Sequence, residues 1–131
     1  AKLTIAVLTR FEQIKPKKQN NSLSSLCKKI KKEHGLVNFI SAQNLYLKYK
    51  AYSYWPGVFL HTGLKLKDIS LNETVSENRP GEILELNKDN ITIGCLNGSL
   101  IIKTIQAPSK KTTLAVDYIR GQRLSLGELL N

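Results

Sequence analysis

The side chains that carry most enzymatic reactions are few in this sequence and poorly placed for chemistry. His34 and His61 are isolated; neither stands four residues from a second ligand, and no HExxH run surrounds them. Cys27 and Cys95 are the only cysteines, with no CxxC spacing and no neighbouring histidine, so they read as reduced thiols rather than a disulfide or a metal pair. Ser22, Ser24 and Ser25 lack the GxSxG setting of a nucleophile elbow. Glu82 and Glu85 fall in a strand-like run, where their spacing sends the side chains to opposite faces and keeps them from acting as a paired acid and base. Asp117 reads as a partner in surface ion pairs. The chain alone is expected to be inactive and to hold no metal and no cofactor.

Positive charge is what the sequence does offer. The formal charge is +10, and it is concentrated at the front: residues 1–50 carry eleven Lys or Arg against Glu12 and Glu33, whereas residues 51–131 carry nine against eight acidic residues. Lys17, Lys18, Lys28, Lys29, Lys31 and Lys32 lie in a Ser/Asn-rich stretch, "KPKKQNNSLSSLCKKIKKEHG", and Lys48 and Lys50 follow shortly after. A second basic group, "APSKKTTLAVDYIRGQR", supplies Lys110, Lys111, Arg120 and Arg123 around a short helix whose N-terminus is expected to be capped by Ser109 or Thr112 and open to anions. Such blocks point to phosphate-rich partners, because neutralising phosphates releases counterions and gives affinity that is independent of sequence. A solvated lysine-rich surface is the competing interpretation.

These cations need elements to hold them. The apolar residues Leu3, Val7, Leu8, Phe11 and Ile14 recur at helical intervals, which predicts an amphipathic helix over 1–14 with no adjacent surface to pack on. Residues 15–40 read as a basic linker, in which Leu26 and Ile30 could anchor one turn. Ser41 is the expected N-cap of a helix over 41–54, with Ala42, Leu45, Tyr49 and Tyr52 on its inner face. Pro56 must end it. From Gly57 the period becomes strand-like, in five runs: "GVFLHT", "LKLKDISL", "GEILELN", "NITIGCL" and "SLIIKTIQA". The turns between them include the loop "NETVSENRP" and an Asn97-Gly98 pair suited to a two-residue hairpin. The predicted fold is mainly β, a small OB-like five-stranded barrel with a short helix stopped at Gly121, preceded by two helices and a basic linker. Trp55, Pro56 and Gly57 form the junction between helix and first strand, with Trp55, the only tryptophan, expected to be buried there and not exposed for base stacking.

In order along nearly the whole chain, the linker "CKKIKKE", the junction "KAYSYWPGVF", the hairpins "GEILELNKDNITIGCLNGSLIIKTIQ" and the closing "PSKKTTLAVDYIRGQRLSLGELL" resemble the C-terminal part of bacterial methionyl-tRNA formyltransferases. The terminal pattern is carried by Lys110, Lys111, Ala115, Asp117, Tyr118, Gly121 and Gly127. Two positions depart from it: Lys50 stands where many relatives have arginine, and Tyr54 where a proline often precedes the tryptophan.

The resemblance implies a parent enzyme that moves a formyl group from 10-formyltetrahydrofolate to the amino group of methionyl-tRNA for translation initiation. Its catalytic Asn, His and Asp would lie in an N-terminal domain outside this chain, of which residues 1–14 would be the last helix. It further implies an interdomain linker over 15–40, a connecting helix over 41–54 and an OB-like barrel over 55–131. Lys28, Lys29, Lys31, Lys32, Lys48, Lys50, Lys110 and Lys111, with Lys17, Lys18, Arg120 and Arg123 beside them, would then meet the phosphates of initiator tRNA, in the cytoplasm. A chain that starts at alanine and has no methionine is expected to be a fragment or a processed product. Two rivals are the C-terminal domain of a sugar-nucleotide N-formyltransferase, which needs no basic surface, and a free-standing RNA-binding barrel. No run approaches the roughly 18 apolar residues of a membrane helix.

Overall fold

The computed structural model describes residues 2–72 and 76–130; Glu73, Thr74 and Val75 of the expected loop "NETVSENRP" lie outside the described residues, as do Ala1 and Asn131. Helix α1 (Lys2–Thr9) runs into a 3-10 turn at Phe11–Gln13, and no side chain from Lys2 to Glu33 is buried. Leu26 and Ile30 anchor no helical turn: Leu26 is exposed and Ile30 largely so. Helix α2 (Ala42–Tyr52) starts as its sequence dictates, with the Ser41 hydroxyl accepting from the Asn44 N–H at 3.2 Å. Ala42 and Leu45 are buried, with Tyr46 and Tyr49 packed beside them.

Six strands follow: β1 (Val58–Phe59), β2 (Lys65–Asn72), β3 (Ile83–Leu86), β4 (Ile91–Gly94), β5 (Ser99–Gln106) and β6 (Thr113–Leu114). All pairings are antiparallel, in the order β1-β2-β5-β4-β3, with β6 on β5. Helix α3 (Ala115–Gly121) packs its Ala115, Val116 and Ile119 into the core. The expected five-stranded barrel is therefore corrected to a mixed α/β domain with an open six-stranded sheet: β1 and β3 end the sheet and do not pair with each other. Two segments cover these edges instead. Val37 N–H donates to the Phe59 carbonyl beside β1, and residues 127–130 bond along β3 through Ile83 and Gly81. Covered edges offer no free ladder for a second chain to pair with.

The covering of β1 begins inside the stretch expected to be linker. From Gly35 to Ile40 buried and exposed residues alternate, with Gly35, Val37 and Phe39 inward. The segment then meets the hairpin between β4 and β5: Leu96 and Asn97 N–H groups donate to the Phe39 and Ile40 carbonyls at 2.9 Å. That hairpin is also not the two-residue turn expected at Asn97-Gly98. Gly94 pairs with Ser99, only Gly98 of the pair has positive φ, and the Gly98 N–H donates to Ser76. The amide Nδ2 of Asn78 holds the same hairpin by donating to Ser76 Oγ and to the Gly98 carbonyl.

The helix–strand junction differs most from expectation. Trp55 is 53% exposed, not buried, and Tyr54 is fully exposed. Pro56, joined to Trp55 by a cis peptide, is the buried member, and Gly57 takes φ +77° with its N–H donating to the Tyr52 carbonyl at 2.8 Å. What packs here is backbone: a Cβ on Gly35 would stand 2.0 Å from the Gly57 carbonyl oxygen. Sequence-based reasoning assigned this joint to the largest side chain, whereas the close approach requires the smallest one. Gly35→Ala is therefore expected to cost about 2–3 kcal/mol or more through overpacking, while Trp55→Ala changes stability by less than about 1 kcal/mol, as surface substitutions do. Urea denaturation of the two variants measures both.

Candidate functional site

The fold gathers some of the expected cations and leaves others apart. Lys31 begins the 3-10 turn Lys32–Gly35, where its N–H donates to Nδ1 of His34, and the His34 ring lies 6.4 Å from that of Tyr52 at the end of α2. This sets Lys31 and Lys32 beside α2. Lys48, on α2, donates to the Leu36 carbonyl at 2.9 Å and ties the same two segments together. Lys50 sits 5.9 Å above the Tyr46 ring, one helical turn away. Lys28 and Lys29 are exposed just ahead of this group, while Lys17 and Lys18 are exposed in the chain preceding it.

Lys110 and Lys111 belong to the loop after β5. Pro108 and Ser109, the latter at φ +59°, form a tight turn closed by the Lys110 N–H on the Ala107 carbonyl, and the Gln106 side chain donates to the Lys110 carbonyl. A groove of about 430 Å³ separates these lysines from α3, lined by Lys110, Lys111, Asp117, Tyr118 and Gln122. Helix α3 does not present the expected anion site. Its N-cap is Leu114, with no side-chain cap, and its first two residues are buried. Thr112 instead accepts from Lys67 Nζ at 3.0 Å, a bond that links β2 to the basic loop.

Helix α3 does end at Gly121, but the glycine is not the left-handed residue that closes it. The Leu124 N–H reaches back to the Ile119 carbonyl and the Arg123 N–H to that of Arg120, with Arg123 left-handed at φ +58°. This is a Schellman ending in which arginine occupies the position that usually needs glycine. Arg123 was legible as a charge and not as a cap.

Of the twelve expected tRNA-facing cations, two form ion pairs among the described residues: Lys31 with Glu33 at 3.5 Å and Arg120 with Asp117 at 3.9 Å, each partner more than half exposed. Exposed pairs of this kind are worth little and are readily exchanged for a phosphate. The remaining Lys17, Lys18, Lys28, Lys29, Lys32, Lys48, Lys50, Lys110, Lys111 and Arg123 make no ion pair with a described carboxylate.

The candidate reactive groups are scattered. Glu85 accepts from the Thr92 hydroxyl at 2.9 Å, and Glu82 from the Arg79 N–H. A bulge between Ile83 and Glu85 shifts the register there. Burial pushes the Cys95 thiol from 9.0 up to about 11, which makes it inert at neutral pH, whereas Cys27 is exposed. No group of three His, Cys, Asp or Glu among the described residues could hold a metal ion. Lys65, Lys67 and Asp68 were not foreseen as surface groups of interest, although the alternation "LKLKD" places both lysines on one side of β2.

Comparison with known proteins places this domain. Residues 29–123 match the family model "Formyl transferase, C-terminal domain", and the chain belongs to that family. Within the family it is similar to methionyl-tRNA formyltransferases, as their C-terminal domain: 49% identical over 130 residues to that of Wolinella succinogenes, 47% to that of Sulfurimonas denitrificans and 47% to that of Campylobacter jejuni. The match covers 95–99% of this chain, and the chain spans only 41–43% of the length of those relatives. Among solved structures, a HypX variant from Aquifex aeolicus superposes with a TM-score of 0.66 at 18% identity, over 97% of this chain and 24% of HypX. HypX in complex with tetrahydrofolic acid gives 0.62 at 19% identity, over 90% of this chain and 22% of HypX. The likeness to HypX is one of fold.

The geometry at the end of α3 provides a way to remove one cation without unfolding the domain. Arg123→Gly is expected to be neutral or stabilising by up to about 1 kcal/mol, because glycine relieves the left-handed strain and returns part of the gain as unfolded-state entropy. Arg123→Val is expected to destabilise, since a β-branched residue resists positive φ. Thermal unfolding of the pair checks the assignment.

Proposed function

We propose that this chain is the tRNA-binding part of a methionyl-tRNA formyltransferase and acts by holding the phosphates of its tRNA, leaving formyl transfer to a catalytic domain. The observation that carries this proposal is the set of ten exposed cations with no described carboxylate partner, in a domain whose relatives are methionyl-tRNA formyltransferases. Nine of the ten are exposed lysines, which act as point charges without the fixed fork of arginine, so the contact is to backbone and carries little sequence information.

In the parent enzyme the formyl donor would be 10-formyltetrahydrofolate and the acceptor the amino group of initiator methionyl-tRNA, in the cytoplasm. Among the described residues, those present do not fit a folate site: His34, His61, Glu82, Glu85 and Asp117 share none of the cavities found there. This, with the chain's span of about 43% of its relatives' length, supports leaving formyl transfer to a neighbouring domain. The exposed Leu3, Ile5, Leu8 and Phe11 of the N-terminal segment fit a helix of that domain. Residues 15–34 then serve as the linker, and the sheet domain starts at Gly35.

The test is tRNA affinity as a function of salt. With about six cations engaged, affinity falls roughly a thousandfold between about 50 and 200 mM salt. Replacing Lys28, Lys29, Lys31 and Lys32 by alanine lowers the slope of log K against log salt by about 3.6, about 0.9 for each phosphate that is no longer neutralised. Affinity that ignores salt, or a slope unchanged in the quadruple variant, contradicts the proposal.

A further inference from the structure

Between the two basic groups lies a depression of about 300 Å³ that none of the twelve expected cations lines. Tyr49, Ser53 and Tyr54 from the end of α2 form one side; Lys65, Lys67 and Asp68 of β2 form the other. Its place in the fold is set by bonds already described. α2 carries Lys48 and abuts the turn of Lys31 and Lys32, while Lys67 reaches Thr112, the residue after Lys111. A polyanion lying across both groups passes over this depression.

Its chemistry is unlike that of either group. Tyr54 is fully exposed at its rim, and Trp55, the next residue, is 53% exposed. Two adjacent large aromatic faces in water are unusual for a domain that buries Leu45, Val58 and Leu66 nearby. The opposite wall is charged: Lys65 and Lys67 contribute two positive charges and Asp68 one negative, and the Asp68 carboxylate accepts from the Thr104 hydroxyl. Asp68 also interrupts the ladder. Lys67 pairs with Thr104 and Ile69 with Ile102, while Asp68 takes φ +48°, a left-handed conformation that costs energy in a residue other than glycine.

We infer that this depression is a seat for an unpaired RNA nucleotide: its base stacks on Tyr54 with Trp55 alongside, and its phosphate meets Lys65. Inside a duplex a base keeps both faces stacked on its neighbours, so the base that stacks on an exposed ring of this kind is typically one that has left the stack. Stacking tolerates any base, because each has a π face, and the neighbouring lysine supplies the charge. The volume is at the low end for a small-molecule site and suits one planar group. The inference deepens the tRNA-phosphate function proposed above and rests on it.

Trp55 is the only tryptophan, so its emission reports this place alone. The chain is titrated with a short oligoadenylate and, separately, with a heparin fragment of similar charge, following binding by calorimetry and Trp55 by fluorescence. Both polyanions are expected to bind, and only the oligoadenylate quenches Trp55. Tyr54→Ala is expected to weaken oligoadenylate about tenfold and heparin by less than about twofold, and Tyr54→Phe to restore the difference. Oligoadenylate that binds without quenching, or equally well to Tyr54→Ala, overturns the nucleotide seat and leaves the phosphate-binding function intact. Failure of both polyanions to bind at low salt overturns that function and the seat together. Quenching by heparin alike assigns the signal to charge and also overturns the seat.

Discussion

A strand has two hydrogen-bonding edges, and β5 uses both along its length. Its first edge pairs with β2 from Ser99 to Gln106; its second pairs with β4 over Ser99–Ile102 and with β6 over Thr104–Ile105. Leu100, Ile102 and Ile105 are completely buried, so the strand is also the floor of the core. Helices α2 and α3 both pack on it. The loop that follows it must then turn at Pro108-Ser109 to bring β6 back onto the same strand, and that turn is what carries Lys110 and Lys111. The basic loop is thus a consequence of how β5 is shared.

Several parts of this were legible in the sequence because they depend on local chemistry. Ser41 caps α2 whatever lies around it, and the five Val/Ile/Leu-rich runs coincide with β1 to β5 to within a few residues, since side-chain alternation and turn residues mark them. What escaped were features decided by tertiary contact. Gly35–Ile40 follows a lysine-rich stretch and its alternation is short, so nothing local distinguishes it from linker; its place is fixed by Phe59 and by the hairpin at Leu96-Asn97. The same bonds explain why Asn97-Gly98 is not a free-standing hairpin turn. Sheet closure could not be read either, because spacing predicts strands and leaves open which of them pair.

The junction at Trp55 and the cap at Arg123 show a second kind of limit. In both cases the residue type suggested a role, burial for a tryptophan and charge for an arginine, and the backbone assigned another. At the junction the backbone of Gly35 comes so close to Gly57 that no side chain fits between them, and Trp55 is turned toward water. Of the candidate site, the basic residues themselves were legible from charge. Their grouping was not: it needed His34 against Tyr52, Lys48 on Leu36 and Lys67 on Thr112.

In the proposed function the sheet built on β5 holds two basic groups against an RNA backbone. Amide hydrogen exchange of the chain with and without tRNA tests it most directly. The amides of β5 are expected to exchange most slowly in both states, with added protection greatest at residues 28–34, 48–54 and 108–112. Protection spread across β3 and β4, or tRNA binding that leaves all three segments unchanged, would contradict the account.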